Sequence, residues 1–377
     1  MPCLDDVEAL RKADVHGMLA AYLRWADNLL EAAKRAEDIS FPAEVRTRAG
    51  PIRYGEPDAV VIVGMGGSAV GGELLKDLTW DVVPVPVLVW RDYHMPAFAG
   101  PDTLVIAVSY SGNTEETLMA FSEALGRKCM IAAITSGGIL GQLCKRLGIP
   151  VVEVPAGLKP RMALPYLFAP LPVLLEKLGL AKGLKGQVEE AAALLRHMAE
   201  DLGPDVPTAR NKAKELASEL EGTIPIVYGF GFFRSVAYRL KTQFNENSKV
   251  PSFYNWLPAL NHDEVMGWEA EDALTKPFSV IFIRDRDEAP EIRHRIEVTK
   301  ELVAGKASKV LELHALGSER LEKMLSVLYV GEMASLYLAL ARGVDPYAMA
   351  SIDDIKEKLA VLGMAEKARA RAEALVP

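Results

Sequence analysis

The chain has 377 residues, half of them hydrophobic and a quarter charged, with a net charge of −8. That length allows two core-bearing domains, and the composition is that of an ordinary globular protein. The acidic balance and the lack of any Lys/Arg-rich run argue against nucleic acid or anionic lipid as the main partner, and leave room for a small anion held by local donors.

Residues 5–37 carry helical periodicity, with Val7, Leu10, Met18, Leu19, Tyr22, Leu23, Leu29 and Leu30 recurring at helical spacing. The N-terminus is acidic and polar where a signal peptide would be basic and then apolar. The period then changes. "DAVVIVG" (58–64), "VPVLVW" (85–90), "DTLVIAVS" (102–109), "KCMIAAIT" (128–135) and "IPVVEVP" (149–155) are short runs rich in β-branched residues, separated by stretches of helical length. Near-continuous apolar strands alternating with helices predict a parallel sheet covered on both faces. The greasy stretch 163–175 contains three prolines and is too short to cross a bilayer. Three cysteines (Cys3, Cys129, Cys144) without ligand spacing suit a reducing compartment. The expectation is a cytoplasmic protein that binds neither nucleic acid nor membrane.

Residues 176–222 read as helix. A second strand series follows at 223–229, 250–255, 277–285 and 307–315, and the tail from about residue 320 is helical, with Leu325, Leu328, Tyr329, Met333, Leu336, Tyr337 and Leu340 on one face. "VGMGGSAVGGELLKD" opens the first series and "YGFGFFRSVAYRLKT" the second, aligning Gly64 with Gly229 and Gly66 with Gly231. A degenerate internal repeat is expected, with a site in a crevice between its halves. The fold class is α/β: two doubly wound parallel-sheet subdomains, each a three-layer αβα, with helical N- and C-terminal segments. The expected organisation is a helical segment over 1–50, a first α/β domain over 51–175, a helical connection over 176–222, a second α/β domain over 223–320, and C-terminal helices over 321–377 packing on both.

"GMGGSA" (64–69) satisfies the G-x-G-x-x-[GA] dinucleotide fingerprint and follows a strand. Its ribose-binding acid should end the next strand, yet Asp92 comes about 25 residues downstream, somewhat late, behind Arg91. "SYSGNTEET" (109–117) is the more informative stretch. Ser109, Ser111 and Thr114 present hydroxyls around a Gly112–Asn113 turn, at the start of a helix that Thr114 could cap. Hydroxyls and free N–H groups at a helix start make a cup for a phosphate dianion. Ser68, on the first strand's loop, can complete it. One such residue would read as a helix cap; four of them, on two neighbouring strand ends, favour a phosphate site.

These two motifs together, "GMGGSAVGG" and "SYSGNTEET", resemble the bifunctional phosphoglucose/phosphomannose isomerase family of the sugar isomerase (SIS) fold, and the likeness runs from about residue 40 to 360. The resemblance implies that Ser68, Ser109, Ser111 and Thr114, with the adjoining Gly67, bind a sugar phosphate. It implies an aldose–ketose isomerase that takes glucose 6-phosphate, and mannose 6-phosphate as well, to fructose 6-phosphate through a cis-enediol. Such chemistry needs a base beside C1 and C2, a stabiliser of the enediolate oxygens and groups that open the ring.

Glu246, in "QFNENS", stands where a helix should end among aromatics. Alone it reads as a surface glutamate or a base; the resemblance assigns it the proton transfer. His262, in "LNHDEV", lies in a polar turn, and the resemblance implies a ring-opening role reaching into a neighbouring subunit's site, hence a homodimer. Arg161, in a Pro/Gly-rich segment, has the planar, permanent charge that suits enediolate oxygens, and it matches the family's arginine. Lys356, past the "GVDP" break, reads unaided as a solvated helical lysine and matches the family's ring-opening lysine. Met349 stands where the family has a small threonine, which makes mannose 6-phosphate the less secure substrate. The resemblance implies no cofactor and no metal, and no His/Cys/carboxylate cluster has ligand spacing. A phosphosugar-binding regulator would keep the cup but need neither Glu246, His262 nor Arg161. A glucosamine-phosphate synthase would need a glutaminase domain in front, and a dehydrogenase has no use for the second cup.

Overall fold

The structure is a computed structural model and describes residues 4–377, so Cys3 lies outside it. The described residues divide into two compact units, one made of residues 27–189 and 349–377, the other of residues 4–26 and 190–348.

The first unit opens with a small antiparallel hairpin, β1 (Glu44–Thr47) and β2 (Gly50–Arg53), in which Val45 faces Ile52. A five-stranded parallel sheet follows: β3 (Ala59–Val63), β4 (Val87–Trp90), β5 (Thr103–Val108), β6 (Met130–Thr135) and β7 (Val151–Glu153), in the order β4-β3-β5-β6-β7. Every residue of β3, β5 and β6 is buried. This is why these strands are continuous Val/Ile/Ala runs with no polar alternation: helices cover both faces. On one face Val61, Val63, Val105, Ala107, Ile131 and Ala133 pack with Phe121 and Leu125 of the helix Glu115–Gly126. The helix Met364–Glu373 lies against that helix through buried Ala368 and Ala372, and the Arg371 guanidinium comes to 3.5 Å from Glu123.

The second unit carries a four-stranded parallel sheet, β8 (Ile224–Phe230), β9 (Phe253–Leu257), β10 (Phe278–Arg284) and β11 (Lys309–His314), in the order β11-β10-β8-β9. β9 begins later than the expected 250–255, because Pro251 has no N–H for a ladder and Lys249 turns the chain with φ +54°. The helix Arg320–Ala341 is apolar and long enough to cross a membrane, yet it is wholly inside the fold. It is buried on every side from Lys323 to Ala341 and not on one face alone. Gly331 lets it approach the helix Arg234–Glu246: a Cβ there would stand 2.2 Å from the Leu240 side chain.

The two sheets repeat one plan. In each, the second strand pairs on one side of the first, the third pairs on the other, and the fourth lies beyond. Gly66 and Gly231, aligned by sequence, have φ of +50° and +49°. Ala59 faces Thr103 as Ile224 faces Phe278, so Ser109 corresponds to Arg284 and the helix-preceding Thr114 to Ala289.

Candidate active site

In the first unit the chain leaves β3 toward β4 on one side and reaches β5 on the other, so the carboxyl ends of β3 and β5 flank a topological switch point, the usual place for a ligand in such sheets. Gly66, with positive φ, turns the chain there, and the helix Gly67–Thr79 starts with no side-chain cap. Buried Ser68 sits in its first turn, and its Oγ accepts from the Tyr110 N–H at 3.2 Å, which ties the β3 loop to the β5 loop.

The β5 loop folds on itself. Ser109 Oγ is 2.9 Å from Thr114 Oγ1 and accepts from the Gly112 N–H at 3.1 Å, while Ser111 Oγ accepts from the Asn113 N–H at 3.2 Å. Thr114 occupies the N-cap position of Glu115–Gly126, but its hydroxyl turns to Ser109 and makes no cap bond. Two helix N-termini and four hydroxyls thus meet at one sheet edge, an arrangement suited to an anion. Glu115, in the same first turn, accepts a hydrogen bond from the Tyr93 hydroxyl, and that bond pushes the phenol's pKa upward.

Arg161 joins this group. It is 1 % exposed, and the chain carrying it passes directly over Gly67, where a Cβ would lie 3.1 Å from Pro160 and 3.2 Å from the Arg161 nitrogen. Tyr110 holds that segment, its hydroxyl donating to Pro155 O and accepting from the Leu158 N–H, both at 2.8 Å. Gly67, Ser68, Ser109, Ser111, Thr114 and Arg161 are therefore brought together in one unit. Lys356 belongs to the same unit, on a helix, Ala350–Ala360, none of whose residues is buried, and no hydrogen bond or ion pair joins it to the cup.

Glu246 and His262 belong to the other unit. Glu246 is the half-buried last residue of Arg234–Glu246, and its carbonyl accepts from Lys249 Nζ. His262 is exposed on the short helix Leu260–Asp263. Its neighbours fix that helix: Asn261 Nδ2 donates to Thr299 Oγ1 at 2.8 Å, and Glu264 accepts from Asn255 Nδ2 at 2.7 Å and from the Tyr228 hydroxyl. Burial, aided by the Glu264 charge, pushes the Tyr228 phenol far up, so it remains a donor.

Sequence reasoning passed over several supports. The β6 loop, "TSGG" (135–138), braces the cup: Leu140 N–H donates to Gly112 O at 2.9 Å, Ile139 N–H to Asn113 Oδ1 at 3.0 Å, and Ser136 Oγ to Tyr110 O at 2.7 Å. Its paired glycines were the available signal. Buried Arg239 and Glu332, ion-paired at 2.6 Å, were also passed over; the available signal was Glu332, the lone charge in the apolar run 324–341. In the second unit, the loop equivalent to the hydroxyl cup carries Arg284, Asp285, Arg286, Asp287 and Glu288. Arg284 pairs with Glu288 at 2.5 Å and Glu297 at 2.7 Å, and Lys323 with Asp285 at 3.0 Å and Asp287 at 2.6 Å.

The family described as the bacterial phospho-glucose isomerase C-terminal SIS domain matches residues 209–359. The chain is 40 % identical over 334 residues to a bifunctional phosphoglucose/phosphomannose isomerase of Caldicellulosiruptor bescii, covering 88 % of this chain and 97 % of that one. It is 36 % identical to a protein of the same name from Thermoplasma acidophilum, covering 86 % and 99 %. Among solved structures, a glucose-6-phosphate isomerase like protein from Thermus thermophilus superposes with a TM-score of 0.59 at 19 % identity, covering 95 % of this chain and 99 % of that one. Fold and cup together define a protein of the sugar isomerase (SIS) type. Within that class, the chain belongs to the bifunctional phosphoglucose/phosphomannose isomerase family.

Proposed function

We propose that the protein interconverts glucose 6-phosphate, and mannose 6-phosphate, with fructose 6-phosphate. The observation that carries this reading is the convergence of Ser68 with Ser109, Ser111 and Thr114 at the β3/β5 switch point, in a chain of this family. The substrate's phosphate sits among those hydroxyls and the uncapped helix starts, with Gly67 giving the backbone close approach. The sugar opens with help from His262 and Lys356. Glu246 removes the proton from C2 and returns it at C1 through a cis-enediol, while Arg161, held over Gly67, neutralises the charge that develops on the oxygens. His262, exposed on its short helix, is supplied to the site of a neighbouring subunit, so the working form is a homodimer in the cytoplasm. A non-catalytic SIS regulator is the competing reading, and the family membership disfavours it.

The test assays EDTA-treated protein on each sugar phosphate separately. Turnover of glucose 6-phosphate is expected. Glu246→Gln should lose about 10²–10⁴ in kcat while still binding sugar phosphate. Binding without turnover by the wild type would favour the regulator, and wild-type rates in Glu246→Gln would remove the base. Met349 is half-buried at the N-cap of Ala350–Ala360. Met349→Thr should raise the rate on mannose 6-phosphate relative to glucose 6-phosphate if the thioether crowds one C2 epimer.

A further inference from the structure

One residue of the first unit bonds to the chain beyond three neighbouring strands. Tyr110, between Ser109 and Ser111, is 5 % exposed. Its N–H donates to Ser68 Oγ at 3.2 Å, after β3. Its carbonyl accepts from the Ser136 N–H at 2.9 Å and from Ser136 Oγ at 2.7 Å, after β6. Its hydroxyl donates to Pro155 O and accepts from the Leu158 N–H, both at 2.8 Å, after β7. The backbone bonds brace the cup whatever side chain stands at this position. The hydroxyl takes no part in them, and is directed to the segment that leads to Arg161.

That segment is irregular. Its last tie to the sheet is the Val154 N–H, which donates to Thr135 O at 3.0 Å. Regular structure resumes with the helix Leu164–Phe168, seated so closely on Gly67–Thr79 that a Cβ on Gly71 would lie 3.2 Å from Leu167 O. In between, Gly157 turns the exposed chain with φ +99°. Among the described residues, 155–158 make no hydrogen bond other than the two to Tyr110. We infer that the Tyr110 hydroxyl is a positioning group for Arg161, fixing the irregular chain that brings the guanidinium to the reacting end of the substrate. The inference rests on Arg161 neutralising the enediolate oxygens. Arg161 follows Leu158 by three residues, and its nitrogen passes 3.2 Å from where a Gly67 Cβ would stand. Pro155 and Leu158 are half-buried, so without the hydroxyl their polar groups must turn to water, and the chain moves outward with them. A displaced donor then meets the developing charge in the wrong place, and a shift of about 1 Å can cost on the order of a hundredfold in rate.

The experiment measures binding of two probes to the full-length protein by calorimetry, 5-phosphoarabinonate and arabinitol 5-phosphate. Both have a phosphate on a five-carbon chain. The first ends in a carboxylate, with charge where the enediolate oxygens would be, and the second ends in an alcohol. The ratio of their Kd values reads recognition of charge at the reacting end, while the alcohol alone reads the cup. Tyr110→Phe should weaken the carboxylate probe about tenfold and the alcohol probe by less than about threefold. It should lower kcat on glucose 6-phosphate with KM nearly unchanged, because the lost interaction belongs to the transition state. Arg161→Met should abolish the preference for the carboxylate, and adding Tyr110→Phe to it should change the ratio no further, since both act through one group. A merely structural hydroxyl would lower the melting temperature and leave the ratio alone. Tyr54→Phe, which removes a hydroxyl bonded to Ile131 O at 2.7 Å in the same unit, is that control. If Tyr110→Phe does not fold, Leu158→Pro, which deletes the N–H and keeps the tyrosine, carries the comparison. A wild-type ratio in the folded variant, with the ratio of Arg161→Met altered, overturns the inference. A wild-type ratio in Arg161→Met instead overturns the reading of Arg161, and the inference with it.

Discussion

Gly112→Ala tests the cup most directly. Gly112 has φ +68°, and a Cβ there would lie 1.8 Å from the Gly137 oxygen and 2.7 Å from the Gly137 carbonyl carbon. The left-handed conformation alone costs an L-residue about 1–2 kcal/mol. The clash is with backbone, so the loops at 109–114 and 135–138 must part by more than an ångström, and forced overpacking of this kind costs about 1–3 kcal/mol more. Parting them breaks the Leu140–Gly112 bond and draws Ser109 away from the Gly112 N–H. The comparison is Gly148→Ala, also at positive φ (+73°) but with nothing within 4 Å of its Cβ, so it carries the conformational cost without the clash. Urea midpoints and the KM for glucose 6-phosphate are measured on both. Gly112→Ala should lose at least about 1 kcal/mol more than Gly148→Ala, or raise KM at least tenfold while kcat changes less. Equal losses with KM unchanged would show that the two loops do not brace each other as described.

Two further outcomes follow from buried groups. Glu332 is raised from 4.5 to about 7 in the folded chain. Over that interval the folded state holds the proton that the unfolded state has released, so stability falls as pH rises from about 4.5 to 7, by on the order of 3 kcal/mol. Wild type minus Glu332→Gln, measured by urea midpoint at pH 5 and pH 8, isolates this slope, and equal pH dependence in the two proteins would refute it. Burial pushes the Cys129 thiol up to about 11 and the Cys144 thiol further still. A Cys3→Ser variant should therefore show no thiol that reacts rapidly with Ellman's reagent at pH 8 until it is unfolded, and a fast equivalent would contradict their burial.

Most of the fold could be read from the chain because burial writes itself into periodicity. β3, β5 and β6 are covered on both faces and so are unbroken apolar runs. The β1–β2 hairpin could not be read this way, because its strands are four residues long and carry Glu44, Arg46 and Arg53 toward solvent. The helix Arg320–Ala341 shows how a one-face reading falls short: a helix apolar on all sides contains any face one looks for. The hydroxyl cup was legible because three of its four hydroxyls, Ser109, Ser111 and Thr114, lie within six residues, and Ser68 follows the glycine loop of the neighbouring strand. The Arg239–Glu332 pair was not, because its partners are 93 residues apart: Glu332 stands out as the lone charge of an apolar helix, but nothing near it in the chain marks its partner.

The loop at 284–289 gives the internal repeat a chemical meaning. It occupies the place that Ser109–Thr114 holds in the first half, yet it carries Asp285, Asp287 and Glu288, whose carboxylates are paired with Arg284, Arg286 and Lys323. The segment 284–289 holds no hydroxyl side chain. The backbone keeps the repeated plan while the side chains of this loop have changed from hydroxyls to paired charges, so two copies of one scaffold carry a single hydroxyl cup.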